Sequence, residues 1–232
     1  MPVLSRFARY FAFACAVTAS FAASGQSSCS SDGRPPPVAL LERFISADCA
    51  SCWADAKAPR AGRGEVAIDW IVPSAKGDDA PLSAAASRDA PSRLEGLQRS
   101  SPPQADTVRH PIGKGRGTLR VAHGLPFNGY IGASIEWRTR SPGPWTAWLM
   151  LLETVPAGTE GTAVERHLVR NTLQLAWEGS RSLSKKERAR LFESRPLSIP
   201  EGANPKRLHV VGWVEDAQGR VVGTAKSACA AG

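Results

Sequence analysis

Cys49-Ala50-Ser51-Cys52 constrains this chain more than any other stretch. It follows a mostly apolar run, Val38 to Ile45, and precedes the breaker cluster Pro59-Arg60-Ala61-Gly62-Arg63-Gly64 and a second apolar run, Val66 to Val72. Short runs apolar on both faces read as strands buried in a sheet. The breaker cluster stops any helix that opens at the cysteines after a few residues. Strand, short helix and strand make a βαβ unit with C-x-x-C at its first turn, which is the cue for a thioredoxin-like redox site. A helix beginning there would aim its first N–H groups and its dipole at Cys49, favouring thiolate over thiol. Cys49 is therefore the expected attacking sulfur and Cys52 the resolving one. Asp48 works against this, because a neighbouring anion opposes thiolate.

The compartment follows from the N-terminus and the cysteines. Arg6 and Arg9 precede a short apolar segment, Tyr10 to Ala22, and small residues with plausible cleavage sites. Residues 1–25 thus read as a signal peptide, too short in its apolar part for a stable membrane anchor. Gln26-Ser27-Ser28 before Cys29 is not the apolar lipobox of a lipoprotein. Of five cysteines, Cys15 leaves with the signal, and four cysteines allow three pairings. In a periplasmic or secreted protein disulfides form, and the natural split is Cys49 with Cys52 and Cys29 with Cys229. The second would be a structural disulfide joining the two mature ends, stabilising by roughly 4–5 kcal/mol in the chain-entropy account.

The formal net charge is +8 from 29 Lys and Arg against 21 Asp and Glu. Losing Arg6 and Arg9 with the leader makes it 8 − 2 = +6. The arginines are scattered from Arg34 to Arg220 and form no single stripe, so nucleic acid is not an expected partner.

Residues 26–37 are Ser-, Gly- and Pro-rich and read as a loose lead-in, tied down only if Cys29 is bridged. Leu82 to Leu97 has weak helical character interrupted by Pro91. Ser100 to Gln104 is another breaker cluster, and Gly113-Lys114-Gly115-Arg116-Gly117 reads as a hinge, since no Gly-Lys-Ser/Thr completes a phosphate loop. From Thr118 onward the period becomes two: Leu119, Val121 and His123, then Ile131, Ala133, Ile135 and Trp137, then the run Trp145 to Val155, then Val169 to Trp177. His209 to Glu215 and Arg220 to Ala225 flank Asp216-Ala217-Gln218-Gly219, a hairpin signature. Strands at this spacing predict an antiparallel sandwich, with Trp137, Trp145 and Trp177 in its core. Ser184-x-x-Glu187 is a possible capping box for a short helix, Lys185 to Phe192. The expected fold is α+β: a shortened thioredoxin-like βαβ domain over residues 38–112, a hinge at 113–117, and a β-sandwich over 118–232.

Three patches resemble a family of exported bacterial proteins, the domain-of-unknown-function family numbered twelve twenty-three. They are Leu41 to Cys52; Thr159-Glu160-Gly161-Thr162 with His167 to Leu173; and the closing hairpin Val210 to Ala225. The resemblance implies a thioredoxin-like domain followed by a β-sandwich. It also implies a cis-proline before a core strand, and the nearest match to the family's Thr-Pro-Gln is Pro102-Pro103-Gln104, making Pro103 that residue. A cis-proline there would set its backbone beside the cysteines, where a partner peptide pairs. The chain departs from the family in carrying Trp53 after the second cysteine, where proline is usual, and in a shorter stretch between Val72 and Ile112.

The functional expectation is thiol–disulfide exchange at Cys49 and Cys52 with thiols or disulfides of exported proteins, without a cofactor. Asp69-Trp70 in the second strand could serve as proton acceptor and apolar cover, or equally as a strand-edge acid beside a core tryptophan. One alternative is a non-catalytic interaction module whose disulfides brace it. A lesser one is copper handling by the two thiolates with a histidine from among His110, His123, His167 and His209, none of which has ligand spacing, so no metal site is assigned. Neither G-x-S-x-G nor H-E-x-x-H occurs. Substrate, direction of exchange and oligomeric state are left open.

Overall fold

The computed structural model describes residues 29–113, 117–178 and 189–229. The expected signal peptide, Ser184 and Glu187 of the expected capping box, and Lys114-Gly115-Arg116 of the glycine cluster lie outside the described residues. The fold is α+β and mostly sheet. Its strands are β1 (Cys29–Ser30), β2 (Ala39–Ser46), β3 (Glu65–Val72), β4 (Ala105–Pro111), β5 (Gly117–His123), β6 (Tyr130–Thr139), β7 (Trp145–Val155), β8 (Arg166–Trp177), β9 (Ala189–Ser198), β10 (Leu208–Glu215), β11 (Val221–Lys226) and β12 (Ala228–Cys229). Two α-helices, α1 (Ala50–Ala54) and α2 (Ala90–Gly96), and three short 3-10 turns complete the described residues.

The strands form two sheets, one ordered β12-β1-β5-β6-β9 and one ordered β11-β10-β7-β8-β3-β2-β4. β2 and β3 run parallel in full register from Ala39 opposite Glu65 to Ser46 opposite Val72, with α1 between them in the chain. Every residue of β2 and all but the first of β3 are buried, as their apolar runs require. β4 pairs antiparallel to the other side of β2 and ends the sheet. β3 meets β8 in parallel at Asp69 and Leu168. That pairing changes the expected division: the strands before and after the glycine cluster share one seven-stranded sheet. Both described ends of the cluster are also tied, Gly113 N–H donating to Val221 O at 2.8 Å and Gly117 opening β5 against Trp137.

The sandwich consists of the five-stranded sheet on the β7–β10–β11 part of the larger one. Leu119, Val121, Ile131, Ile135 and Trp137 meet Trp145, Ala147, Leu149, Val210 and Val214 between them, with Trp177 packed at the margin. The backbones come close enough that glycine is required: a Cβ at Gly223 would lie 2.6 Å from the Trp137 ring, and one at Gly212 would lie 2.7 Å from Val121. The other face of the large sheet buries Phe44, Ile68, Trp70, Trp148, Met150 and Trp213 under Ala90 and Leu94 of α2. Pro91 does not break α2, because it stands in the first turn, where an N–H has no intrahelical partner to lose.

One strand departs from expectation, while the lead-in, expected to be tied down only if Cys29 is bridged, is held by that bridge. Residues 189–192, expected as helix, begin β9, an edge strand on β6 from Ala189 opposite Thr139 to Ser198 opposite Tyr130. Its Pro196 is tolerated because an edge strand need not donate from every N–H. The lead-in is ordered from Cys29 on: β1 pairs with β5 and β12, and Asp32 takes a two-pronged ion pair from Arg120.

The closing hairpin forms as its sequence indicates, with β10 against β11 and the Asp216 carboxylate accepting from the N–H groups of Gln218 and Arg220.

Candidate functional site

Cys49 caps α1. Its Sγ accepts from Cys52 N–H at 3.2 Å, and Cys49 O accepts from the N–H groups of Cys52 and Trp53. Cys49 and Cys52 are disulfide-bonded, with Cα atoms 5.2 Å apart. The turn is pinned on three sides: Ala47 N–H donates to Val72 O, Leu82 N–H to Ala47 O, and Ser46 N–H to Gln104 O, each within 3.0 Å. The two cysteines differ in exposure as whole residues. Cys49 is 8% exposed, while Cys52 is half-buried and lines a cavity of about 200 Å³ with Arg43, Asp55, Pro59, Gln104 and Asp106. Asp48 does not stand as a lone anion beside Cys49, since Lys76 Nζ lies 3.2 Å from its carboxylate.

Pro103 is in the bend immediately before β4, and its neighbour Gln104 carries the carbonyl that accepts from Ser46 N–H. The expected cis bond is not there: among the described residues the one cis bond is Gly143–Pro144, so Pro103 is trans. β4 is also the sheet's edge and not a core strand.

A buried charge cluster underlies α1. Asp69 faces the cysteine side, but neither carboxylate oxygen is free. Oδ2 accepts from Arg43 Nη2 and from His167 N–H, both at 2.6 Å, and Oδ1 accepts from Arg166 Nη1 at 3.2 Å. Arg166 continues to the helix, donating through Nη2 to Cys52 O at 3.0 Å and Trp53 O at 2.8 Å. Burial lowers the Arg166 pKa, with Asp69 opposing that shift. Arg43 ties the segment after α1 by donating to Pro59 O. Asp69 is therefore a structural anion with three donors, not a proton acceptor waiting on the cysteines. Trp70 projects to the other face, donating to Glu42 Oε1 at 3.0 Å, so it does not cover them.

The aromatic cover is Trp53. It is buried, its indole N–H donates to Glu160 O at 2.8 Å, and the Arg166 guanidinium lies 5.3 Å from its ring. Sequence reasoning registered Trp53 only as a departure and passed over Arg43 and Arg166. The available signal for Arg43 was a lone arginine in a mostly apolar strand-like run, a residue seldom buried without a partner; Arg166 lies before the run that begins at Val169 and carried no such signal.

A second buried cluster occupies the opposite face of the same strands. Arg93 of α2 bridges Glu42 and Glu215, and Trp70, Trp148 and Trp213 donate their indole N–H groups to those carboxylates. Burial pushes the Glu42 carboxyl up, but the Arg93 charge and hydrogen bonds from His110 and Arg93 outweigh it and hold the pKa at about 2.

No histidine joins Cys49 and Cys52. His110 pairs with Glu42, and His167 and His209 stand edge to face at 5.4 Å around the Thr154 hydroxyl. His123 sits beside the other disulfide, Cys29–Cys229, which joins directly opposed residues of β1 and β12. The molecule so far defines a class no finer than a two-sheet α+β protein with two disulfides, one of them closing a strand-to-helix turn. Comparison with family models, with curated proteins and with solved structures finds no match for this chain.

Proposed function

We propose that this is an exported, periplasmic or secreted protein of thioredoxin-like build that exchanges disulfides with thiols of other exported proteins through Cys49 and Cys52. One observation carries the reading: the disulfide closes the turn of β2–α1–β3, with β4 antiparallel beside β2 and Gln104 touching the turn. That is the arrangement a thioredoxin-like site uses, and the second disulfide suits the same oxidising space. Membership of the family resembled in sequence belongs to the same proposal. No described helix is long and apolar enough to cross a membrane.

The exposures favour reaction at Cys52. A partner thiolate attacks Cys52 Sγ, the Cys49–Cys52 bond breaks, and Cys49 leaves as a thiolate held by the Cys52 N–H. A second partner thiolate then attacks the mixed disulfide, the partner leaves oxidised, and Cys49 and Cys52 remain as the dithiol. The reverse sequence reduces a partner disulfide. Insulin reduction and scrambled-substrate refolding by wild type and Cys49→Ser test it; equal rates sink the enzyme reading.

The interaction-module reading draws on a different observation, the saturation of Asp69, whose two carboxylate oxygens accept from three donors and are not open to the cysteines. In that case Cys49→Ser lowers the melting temperature and leaves partner capture intact, and the pair resists mild reductant when thiols are counted on native protein.

A further inference from the structure

The smaller sheet holds a second set of metal-ligating atoms, brought together by register from positions far apart in the chain. Cys29 stands opposite Cys229 on one side and opposite His123 on the other, across β12, β1 and β5. Directly opposed residues of antiparallel strands project to the same face, and the two Sγ atoms and a His123 ring nitrogen all lie within 4.8 Å of one another. Cys29 and His123 are each 3% exposed, whereas Cys229 is open to solvent.

His123 is set up as a ligand. Its Nδ1 lies 2.8 Å from Gly124 O. A carbonyl only accepts, so the ring proton resides on Nδ1 and Nε2 carries the lone pair. That Nε2 is buried and has no hydrogen-bond partner. A buried polar atom left unmatched is costly and calls for a reason. A ring held by Nδ1–H to a carbonyl with a free Nε2 is the usual posture of a metal-binding histidine.

We propose that reduction of Cys29–Cys229 opens a site for one Cu(I) ion, held by Cys29 Sγ, Cys229 Sγ and His123 Nε2. The reductant is an external dithiol. Its thiolate attacks Cys229 Sγ, the exposed sulfur, and the Cys29–Cys229 bond breaks. The dithiol closes to its own disulfide, having supplied two electrons and two protons to the two cysteines. As Cu(I) enters, two copper–sulfur bonds form and the two thiol protons pass to solvent. Thiolates are soft ligands that select such an ion. Among the described residues no fourth His, Cys, Asp or Glu joins the group, so a three-coordinate ion suits it better than tetrahedral zinc. The metal then joins β1 to β12 where the disulfide did. The site is independent of Cys49 and Cys52, and its failure leaves the exchange reading untouched.

The test uses the full chain with Cys15, Cys49 and Cys52 replaced by serine, so that Cys29 and Cys229 are its only thiols. It is reduced with a phosphine, desalted without oxygen, and titrated with Cu(I) against a chromogenic chelator. One equivalent of copper is expected, with two sulfurs and one nitrogen in its X-ray absorption shell, and His123→Ala should weaken binding tenfold or more. A copper shell without nitrogen, equal affinity in His123→Ala, or equally tight binding by the oxidised protein overturns the proposal. The absorption measurement needs no His123 variant, so a folding defect there does not leave the question open.

Discussion

Trp53 donates its indole N–H to Glu160 O across 2.8 Å, fastening the cysteine helix to a loop of the sandwich. That loop turns through three residues with positive φ, Gly158, Glu160 and Gly161, so its carbonyl is presented by a fixed backbone. With Arg166 gripping the carbonyls of Cys52 and Trp53, α1 is held by residues that follow the glycine cluster. A five-residue helix is too short to be stable by itself, so these contacts decide its position. Trp53→Phe keeps the ring and loses the hydrogen bond. It should cost about 1 kcal/mol and speed reduction of Cys49–Cys52 by a small dithiol, read by thiol release over time. An unchanged release rate would show that the loop does not hold the helix.

Asp69 separates a structural from a chemical role. Asp69→Asn keeps the shape but leaves Arg43 and Arg166 without their shared anion. Breaking a buried pair costs about 3–5 kcal/mol. Urea denaturation should show that loss, and whatever exchange activity remains should keep the wild-type pH profile. A stable variant with a displaced pH profile would instead make Asp69 the proton acceptor.

Acid should weaken the fold in two windows. Burial first, then Lys226 and His167, hold the His209 pKa well below 6.5, so the unfolded chain takes up a proton that the folded chain refuses. Stability is present above about 6.5 and falls as the pH drops below it. Glu42 acts lower: its carboxyl titrates near 4.5 when unfolded and at about 2 when folded. Its share is intact above 4.5 and lost as the pH falls toward 2, about 3 kcal/mol at roughly 1.4 kcal/mol per unit. Denaturation across pH should show His209→Gln flattening the first window and Glu42→Gln the second.

The βαβ order, the cysteine turn, the alternating strands and the closing hairpin were legible because each rests on local pattern. Two strands were not. β9 is rich in Arg and Glu and lies at an edge, where its burial alternates weakly, so its composition resembles that of an exposed helix. β4 is likewise an edge strand with no fully buried residue, and only the resemblance at Pro102-Pro103-Gln104 hinted at a strand there. The union of the two expected domains in one sheet rests on the meeting of β3 and β8, which no local signal announces. Arg43 lies in a run that reads as apolar and Arg166 between Glu165 and His167, and only their partnership through Asp69 across distant strands makes sense of them.

Gly223 tests the sandwich independently of the site. Its α-carbon abuts the buried Trp137 ring, which Gly117 also approaches, so the ring cannot shift away without a clash. Gly223→Ala should cost about 1–3 kcal/mol as overpacking, seen as a lower melting temperature with wild-type thiol release. Gly219→Ala, at a positive-φ turn with open space around it, tests backbone strain alone. If both variants melt alike, the ring contact is not what requires glycine at 223.

The two cysteines are distinguished by which one carries the partner. With Cys49 at 8% exposure and Cys52 lining the cavity beside Gln104, the mixed disulfide should form on Cys52. Cys49→Ser removes the sulfur that would expel the partner, so a covalent complex should accumulate when this variant meets oxidised client proteins. Cys52→Ser leaves only the buried sulfur and should trap several-fold less. Non-reducing electrophoresis with peptide mapping of the cross-link reads the difference. Preferential trapping by Cys52→Ser would return the attacking role to Cys49, and the turn would then have to open before it reacts.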